Sequence, residues 1–203
     1  LEILKDKKYI FFDVGYTLDY PASGDWMFTR KFYEIVGDRL NKLSAEEIQK
    51  AREFGLEYLE KNHLVKSTED EYHHFLRYYS DILKYLNLSL TEKEIQAIAD
   101  DRTNNMDNYI VYPDAKEVLE VLSHSYKLGI ISDTWPSIER QLCTIGVRDY
   151  FSTTTYSCEL GKFKPDEALH EDALRKSGCK PEETVFIDDS VRNLEGAAKL
   201  GIT

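Results

Sequence analysis

Four short stretches carry residues that could do chemistry, and each follows an apolar run. Asp13 ends Tyr9-Ile10-Phe11-Phe12, Ser132-Asp133 ends Leu128-Gly129-Ile130-Ile131, and Asp188-Asp189 ends Val185-Phe186-Ile187. Lys164 lies in Gly161-Lys162-Phe163-Lys164-Pro165, beyond a Thr-rich run, Ser152 to Tyr156. A single acid at a strand end is ordinarily a turn or cap residue. Four polar strand ends on one rim call for another explanation. If Asp13, Asp188 and Asp189 converge on Lys164, three carboxylates face one ammonium, and their mutual repulsion needs a cation. A divalent ion brings that sum to zero, and an all-oxygen donor set without Cys or His favours Mg²⁺.

The elements that must position these residues follow from the patterning. Tyr9 to Phe12 predicts a buried strand. From about Ser23 to Asn108 the pattern is helical, punctuated by three capping-box signatures, Ser44-x-x-Glu47, Thr68-x-x-Glu71 and Thr91-x-x-Glu94. Tyr72, Phe75, Leu76, Tyr79, Leu83 and Leu86 form one apolar helix face in this segment. From Pro113 onward, helices alternate with short apolar strands, which predicts a parallel sheet covered on both faces. The expected fold is therefore α/β, a Rossmann-like parallel-sheet core of residues 1–21 and 109–203. An all-helical module, residues 22–108, is inserted after its first strand. In such sheets ligands bind beyond the carboxyl ends of the strands, where all four stretches fall.

These residues resemble the motifs of the haloacid dehalogenase-like (HAD) hydrolase superfamily, in its subfamily with a helical cap after the first strand. The family's Asp-x-Asp-x-Thr pattern is matched by Asp13-Val14-Gly15-Tyr16-Thr17, with Gly15 in place of the second Asp. Ser132, Lys164 and the Asp188-Asp189-Ser190-Val191-Arg192-Asn193 stretch match the later motifs in the same order. The resemblance implies Asp13 as a nucleophile forming a covalent aspartyl intermediate. It implies Ser132 as a ligand of the transferred group, and Lys164 as a holder of Asp13 and of the substrate anion. Asp133 is a further substrate-binding candidate. Asp13, the backbone carbonyl of Gly15 and Asp189 would bind Mg²⁺, with Asp188 as a ligand or just behind.

Gly15 removes the acid that protonates the leaving group in family phosphatases, a contribution of ~10²–10⁴ in rate. The first expectation is a Mg²⁺-dependent phosphatase of a small phosphorylated metabolite, with Asp19 as the candidate stand-in acid and Tyr16 and Tyr20 behind it. A 2-haloacid dehalogenase, whose halide leaves without a proton and without a metal, is the second. A catalytically impaired binding or regulatory protein of the same fold is the third. Trp26, Phe28 and Arg30 open the cap and are candidate substrate contacts.

Composition narrows the partners. A formal net charge of −11 opposes a nucleic-acid surface, which needs clustered cations, while leaving a small anionic metabolite open. Three cysteines without metal-type spacing suit a reducing compartment, and no apolar run has the length of a membrane span. The charged start is unlike a signal peptide. The expectation is a cytoplasmic monomer or homodimer. The five histidines form no catalytic pattern, and no Gly-x-Gly-x-x-Gly follows a strand, which argues against a dinucleotide cofactor.

Overall fold

All four residues of β1, Tyr9–Phe12, are buried, because strands lie on both sides of it. The computed structural model describes residues 2–203. Its main sheet has the order β5 (Phe151–Tyr156), β4 (Lys127–Ser132), β1, β6 (Thr184–Ile187), and every pair in it is parallel. Phe12 is in register with Ile130 on one side and Ile187 on the other, so the strands end at one rim.

Alternation along β1 feeds two cores. Ile10 and Phe12 pack with Leu119, Ile130 and Leu142, from α5 (Ala115–Ser123), β4 and α6 (Ile138–Thr144). Tyr9 and Phe11 pack with Leu169, Ala173 and Ala197, from α8 (Glu167–Ser177) and α9 (Val191–Lys199). A short helix, α7 (Ser157–Leu160), leads from β5 towards Lys164.

Between β1 and α5 the chain builds a separate helical layer of α1 (Arg30–Leu40), α2 (Ala45–Lys61), α3 (Thr68–Tyr85) and α4 (Glu92–Asn104). It has its own core, in which Phe32, Phe75, Tyr78, Tyr79 and Ile82 are fully buried. Ser44–Glu47 and Thr91–Glu94 form complete capping boxes. The middle signature is displaced by one residue. Ser67, not Thr68, caps α3 by accepting the Asp70 N–H, and Glu71 is left to turn inward. There it accepts from the backbone N–H and the hydroxyl of Ser137, both at 2.7 Å, which ties α3 to the start of α6.

The patterning does not anticipate an antiparallel ribbon in which β2 (Asp19–Pro21) pairs with β3 (Tyr109–Val111). These three-residue strands flank the helical layer, so the chain enters and leaves it side by side. Their pairing is non-local, and neither strand is long enough to show a period of its own.

Candidate active site

Asp13 is placed by its own N–H, which donates at 2.9 Å to the carbonyl of Ile187, the last residue of β6. The chain then folds tightly: the Val14 carbonyl accepts from the Leu18 N–H at 2.7 Å, and Tyr16 takes a positive φ of 58°. The Tyr16 N–H donates to the Asp19 carbonyl at 2.7 Å and closes the loop. This turn leaves Gly15 and Tyr16 on the cleft and carries the Asp19 side chain inward.

Lys164 spends all three of its donors. Its Nζ lies 2.8 Å from Asp13 Oδ1, 2.6 Å from Asp188 Oδ2 and 3.3 Å from the Ile131 carbonyl oxygen. Burial opposes its charge, but Asp13 and Asp188 outweigh that and hold its pKa above the ordinary lysine value. Burial pushes the Asp13 carboxyl up; Lys164 pulls it down, and Asp188 adds to the rise. Asp188 is saturated as well, accepting from the Ser190 N–H at 2.8 Å and from Asn193 Nδ2 at 3.0 and 3.1 Å. Asp189 is exposed and lines the cleft. Asp13, Asp188 and Asp189 each offer an oxygen within 4.8 Å of the others. This carboxylate-only set, with one compensating lysine, suits a hard divalent ion such as Mg²⁺.

The cleft between the sheet rim and the helical layer has a volume of about 500 Å³. Ser132, Asp133 and Thr134 line its floor, and Trp26, Arg52, Leu56 and Arg102 line it from the cap. Trp26 covers the loop closely: a Cβ on Gly15 would lie 3.1 Å from Trp26 Cζ2. Asp133 Oδ1 accepts the Lys164 backbone N–H at 2.9 Å, which pins the loop carrying the lysine.

The structure places the other candidates as follows. Lys164 is not among the residues lining the cleft; its side chain is 1% exposed and holds the Asp13 carboxylate. Asp19 is not a solvated turn acid and does not line the cleft; it is fully buried. Gln141 Nε2 donates to its Oδ2 at 2.6 Å, and its Oδ1 has no partner. Burial raises its pKa to about 7. Gln141, the residue that meets its carboxylate, itself lines the cleft. Tyr16 lines the cleft, whereas Tyr20 packs its ring at a tilt against Tyr112, 4.9 Å between centroids. Of the cap candidates only Trp26 reaches the cleft. Phe28 stacks on Phe32 within the cap core, and Arg30 bonds the Ala22 carbonyl.

Sequence reasoning missed Arg52, Arg102, Trp135 and Gln141, whose spacing signals nothing because they come from three separate helices and a loop. His63 has a packing role: it stacks on Phe163 at 3.9 Å and bonds the Ser157 hydroxyl at 2.7 Å. Burial takes its pKa down to about 4.

Known proteins share this arrangement of elements. A HAD family enzyme from Bacteroides thetaiotaomicron superposes with a TM-score of 0.68 at 20% identity, over 97% of this chain and 91% of that one. A 2-haloacid dehalogenase from Pseudomonas syringae pv. Tomato gives 0.63 at 20% identity, over 97% and 84%. In sequence, a glyceraldehyde 3-phosphate phosphatase from Methanothermobacter thermautotrophicus is 30% identical over 92 residues. That match spans 42% of this chain and 39% of the relative. The sequence model of the haloacid dehalogenase-like hydrolases matches residues 31–203, a stretch that holds Ser132, Lys164, Asp188 and Asp189 and starts after Asp13. Since that covers most of the chain, the protein belongs to the haloacid dehalogenase-like hydrolase family.

Proposed function

We propose that this hydrolase is a Mg²⁺-dependent phosphatase of small phosphorylated metabolites, working through Asp13. The observation that carries the reading is the buried Lys164, which bridges Asp13 and Asp188 while Asp189 stays open to the cleft. A metal-free dehalogenase has no use for the three clustered carboxylates. The phosphatase relatives add support, as does a solved structure of the Bacteroides enzyme with magnesium and inorganic phosphate, at 21% identity and a TM-score of 0.66.

Asp13, Asp189 and the Gly15 carbonyl would hold the ion, with Asp188 fixing Lys164 behind them. When bound, the ion would neutralise charge on the phosphoryl oxygens. Asp13 attacks phosphorus through one carboxylate oxygen, the bond from phosphorus to the ester oxygen breaks, and the alcohol leaves. Water then attacks the phosphoaspartate at phosphorus, releasing phosphate and restoring the Asp13 carboxylate. Lys164 favours the ionised form of Asp13 against its burial and holds it in place, and the Ser132 hydroxyl donates to a phosphoryl oxygen. Neither Gly15 nor Trp26 supplies an acid for the leaving oxygen. With no carboxyl at position 15, the departing group takes its proton from solvent in this reading, so good leaving groups react fastest.

The test is phosphate release from an ester panel with Mg²⁺ or with EDTA. Release that needs Mg²⁺ and is abolished in Asp13→Asn is expected. Halide release from 2-chloropropionate in EDTA would replace this reading with the dehalogenase one.

A further inference from the structure

Two arginines of the cap line the cleft, and their partners differ. Arg52 is neutralised: both its terminal nitrogens meet the Asp25 carboxylate, and its guanidinium lies 4.6 Å above the Phe28 ring. Arg102, from α4, is only 7% exposed and makes no ion pair within 4 Å. Nη1 donates to the Tyr109 hydroxyl at 2.7 Å, and the guanidinium sits 4.6 Å over Phe75. Nε is buried with no acceptor at all. Glu71 is the carboxylate whose charge acts on Arg102 directly, but both its oxygens are already held by Ser137.

A guanidinium carries five donors in a planar fork, and burying it with one neutral partner is costly unless an anion completes the set. No side chain among the described residues does so. Both Arg102 and Tyr109 border the cavity that holds Asp13. The cleft floor is acidic and its lysine is fully engaged, so this arginine is the cation left for a ligand.

We propose that Arg102 is a specificity residue, which binds a carboxylate on the leaving group and so selects phosphorylated carboxylic acids over neutral phosphate esters. The planar fork accepts a carboxylate through two parallel hydrogen bonds, a geometry that a hydroxyl or an aldehyde cannot match. This assignment rests on the phosphatase reading for what happens to the ligand, but not for its binding.

Binding is therefore measured separately from turnover, on the wild-type protein with Mg²⁺, by calorimetry with two non-hydrolysable phosphonates. These are 2-hydroxy-4-phosphonobutanoate, which mimics 3-phosphoglycerate, and 3,4-dihydroxybutylphosphonate, which mimics glycerol 3-phosphate. The carboxylate ligand should bind about tenfold or more tightly, the scale of a charge-assisted hydrogen bond. Arg102→Lys, which keeps the charge but loses the fork, should remove most of that preference. A thermal melt checks that the variant folds; if it does not, Arg102→Gln takes its place, and the wild-type preference alone still decides against the proposal if absent. Equal binding, tighter binding of the alcohol, or a preference that survives in a folded Arg102 variant would overturn the assignment. A preference that holds while neither 3-phosphoglycerate nor glycerol 3-phosphate releases phosphate would instead overturn the phosphatase reading and leave Arg102 as the carboxylate site. If both hold, 3-phosphoglycerate should outrun glycerol 3-phosphate in kcat/KM, with glyceraldehyde 3-phosphate, neutral at that carbon, ranking beside the alcohol.

Discussion

At position 15 the missing carboxylate and the indole of Trp26 compete for one space. A side chain there would begin 3.1 Å from Trp26 Cζ2, tighter than packed side chains ordinarily tolerate. Gly15→Asp alone should therefore not raise phosphatase turnover. The double variant Gly15→Asp with Trp26→Ala should raise it on alkyl phosphates by about tenfold or more, part of the ~10²–10⁴ typical of general acid help. Steady-state kinetics on both variants check this, and a gain in the single variant would show that Trp26 is no obstacle. Asp19 makes a different prediction. Its carboxyl has an ordinary pKa of 3.8 and a folded value of about 7, so between these the folded chain keeps a proton that the unfolded chain loses. The stability it contributes is thus full below about pH 4, falls as pH rises towards 7, and is flat above. Asp19→Asn should remove that slope and gain on the wild type by up to ~4 kcal/mol across the window, read from urea unfolding at its two ends. Its turnover should stay within a factor of a few, whereas a hundredfold loss on alkyl esters alone would restore Asp19 as the proton donor.

The start of α3 shows how one residue of displacement changes an element's role. Both Ser67 and Thr68 are chemically able to cap, but the helix begins where Ser67 accepts the Asp70 N–H. That frame frees Glu71 to reach Ser137. Ser67→Ala should lower stability by about 1 kcal/mol, and Thr68→Ala should cost little by comparison. Equilibrium unfolding of the two variants checks this, and equal losses would contradict the observed cap. The β2–β3 ribbon works at the same scale, since it holds both ends of the cap beside the loop that carries Asp13 and Gly15.

Across the whole molecule, a net charge of −11 is concentrated in part at one rim, where Asp13, Asp133, Asp188 and Asp189 surround a single lysine. Folding has to assemble that repulsion, so an ion bound only by the folded state should stabilise it. Mg²⁺ at ten times its dissociation constant should add about 1.4 kcal/mol, seen as a higher Tm. Asp189→Asn should remove most of that increment, since Asp189 is the carboxylate not spent on Lys164, Ser190 or Asn193. A rise in Tm that survives in the variant would place the ion elsewhere.

The sheet and its rim were legible in the sequence because they rest on local signals. Tyr9 to Phe12 reads as a strand from its own four side chains; Asp13 and Asp188 follow their strands directly, and Ser132 closes its own. Parallel strands in register then bring those ends together. The capping boxes at Ser44 and Thr91 are equally local, needing only four consecutive residues. The tertiary structure decided what depends on distant partners. It set the three partners of the Lys164 ammonium, Asp13, Asp188 and the Ile131 carbonyl. It buried Asp19 behind Gln141, laid Trp26 over Gly15, and left Arg102 on the cleft without a carboxylate. Each of these is set by packing between segments that are not neighbours in the sequence. Spacing along the chain encodes an element's face, while only the assembled fold fixes which groups meet across the cleft and which are left for a ligand.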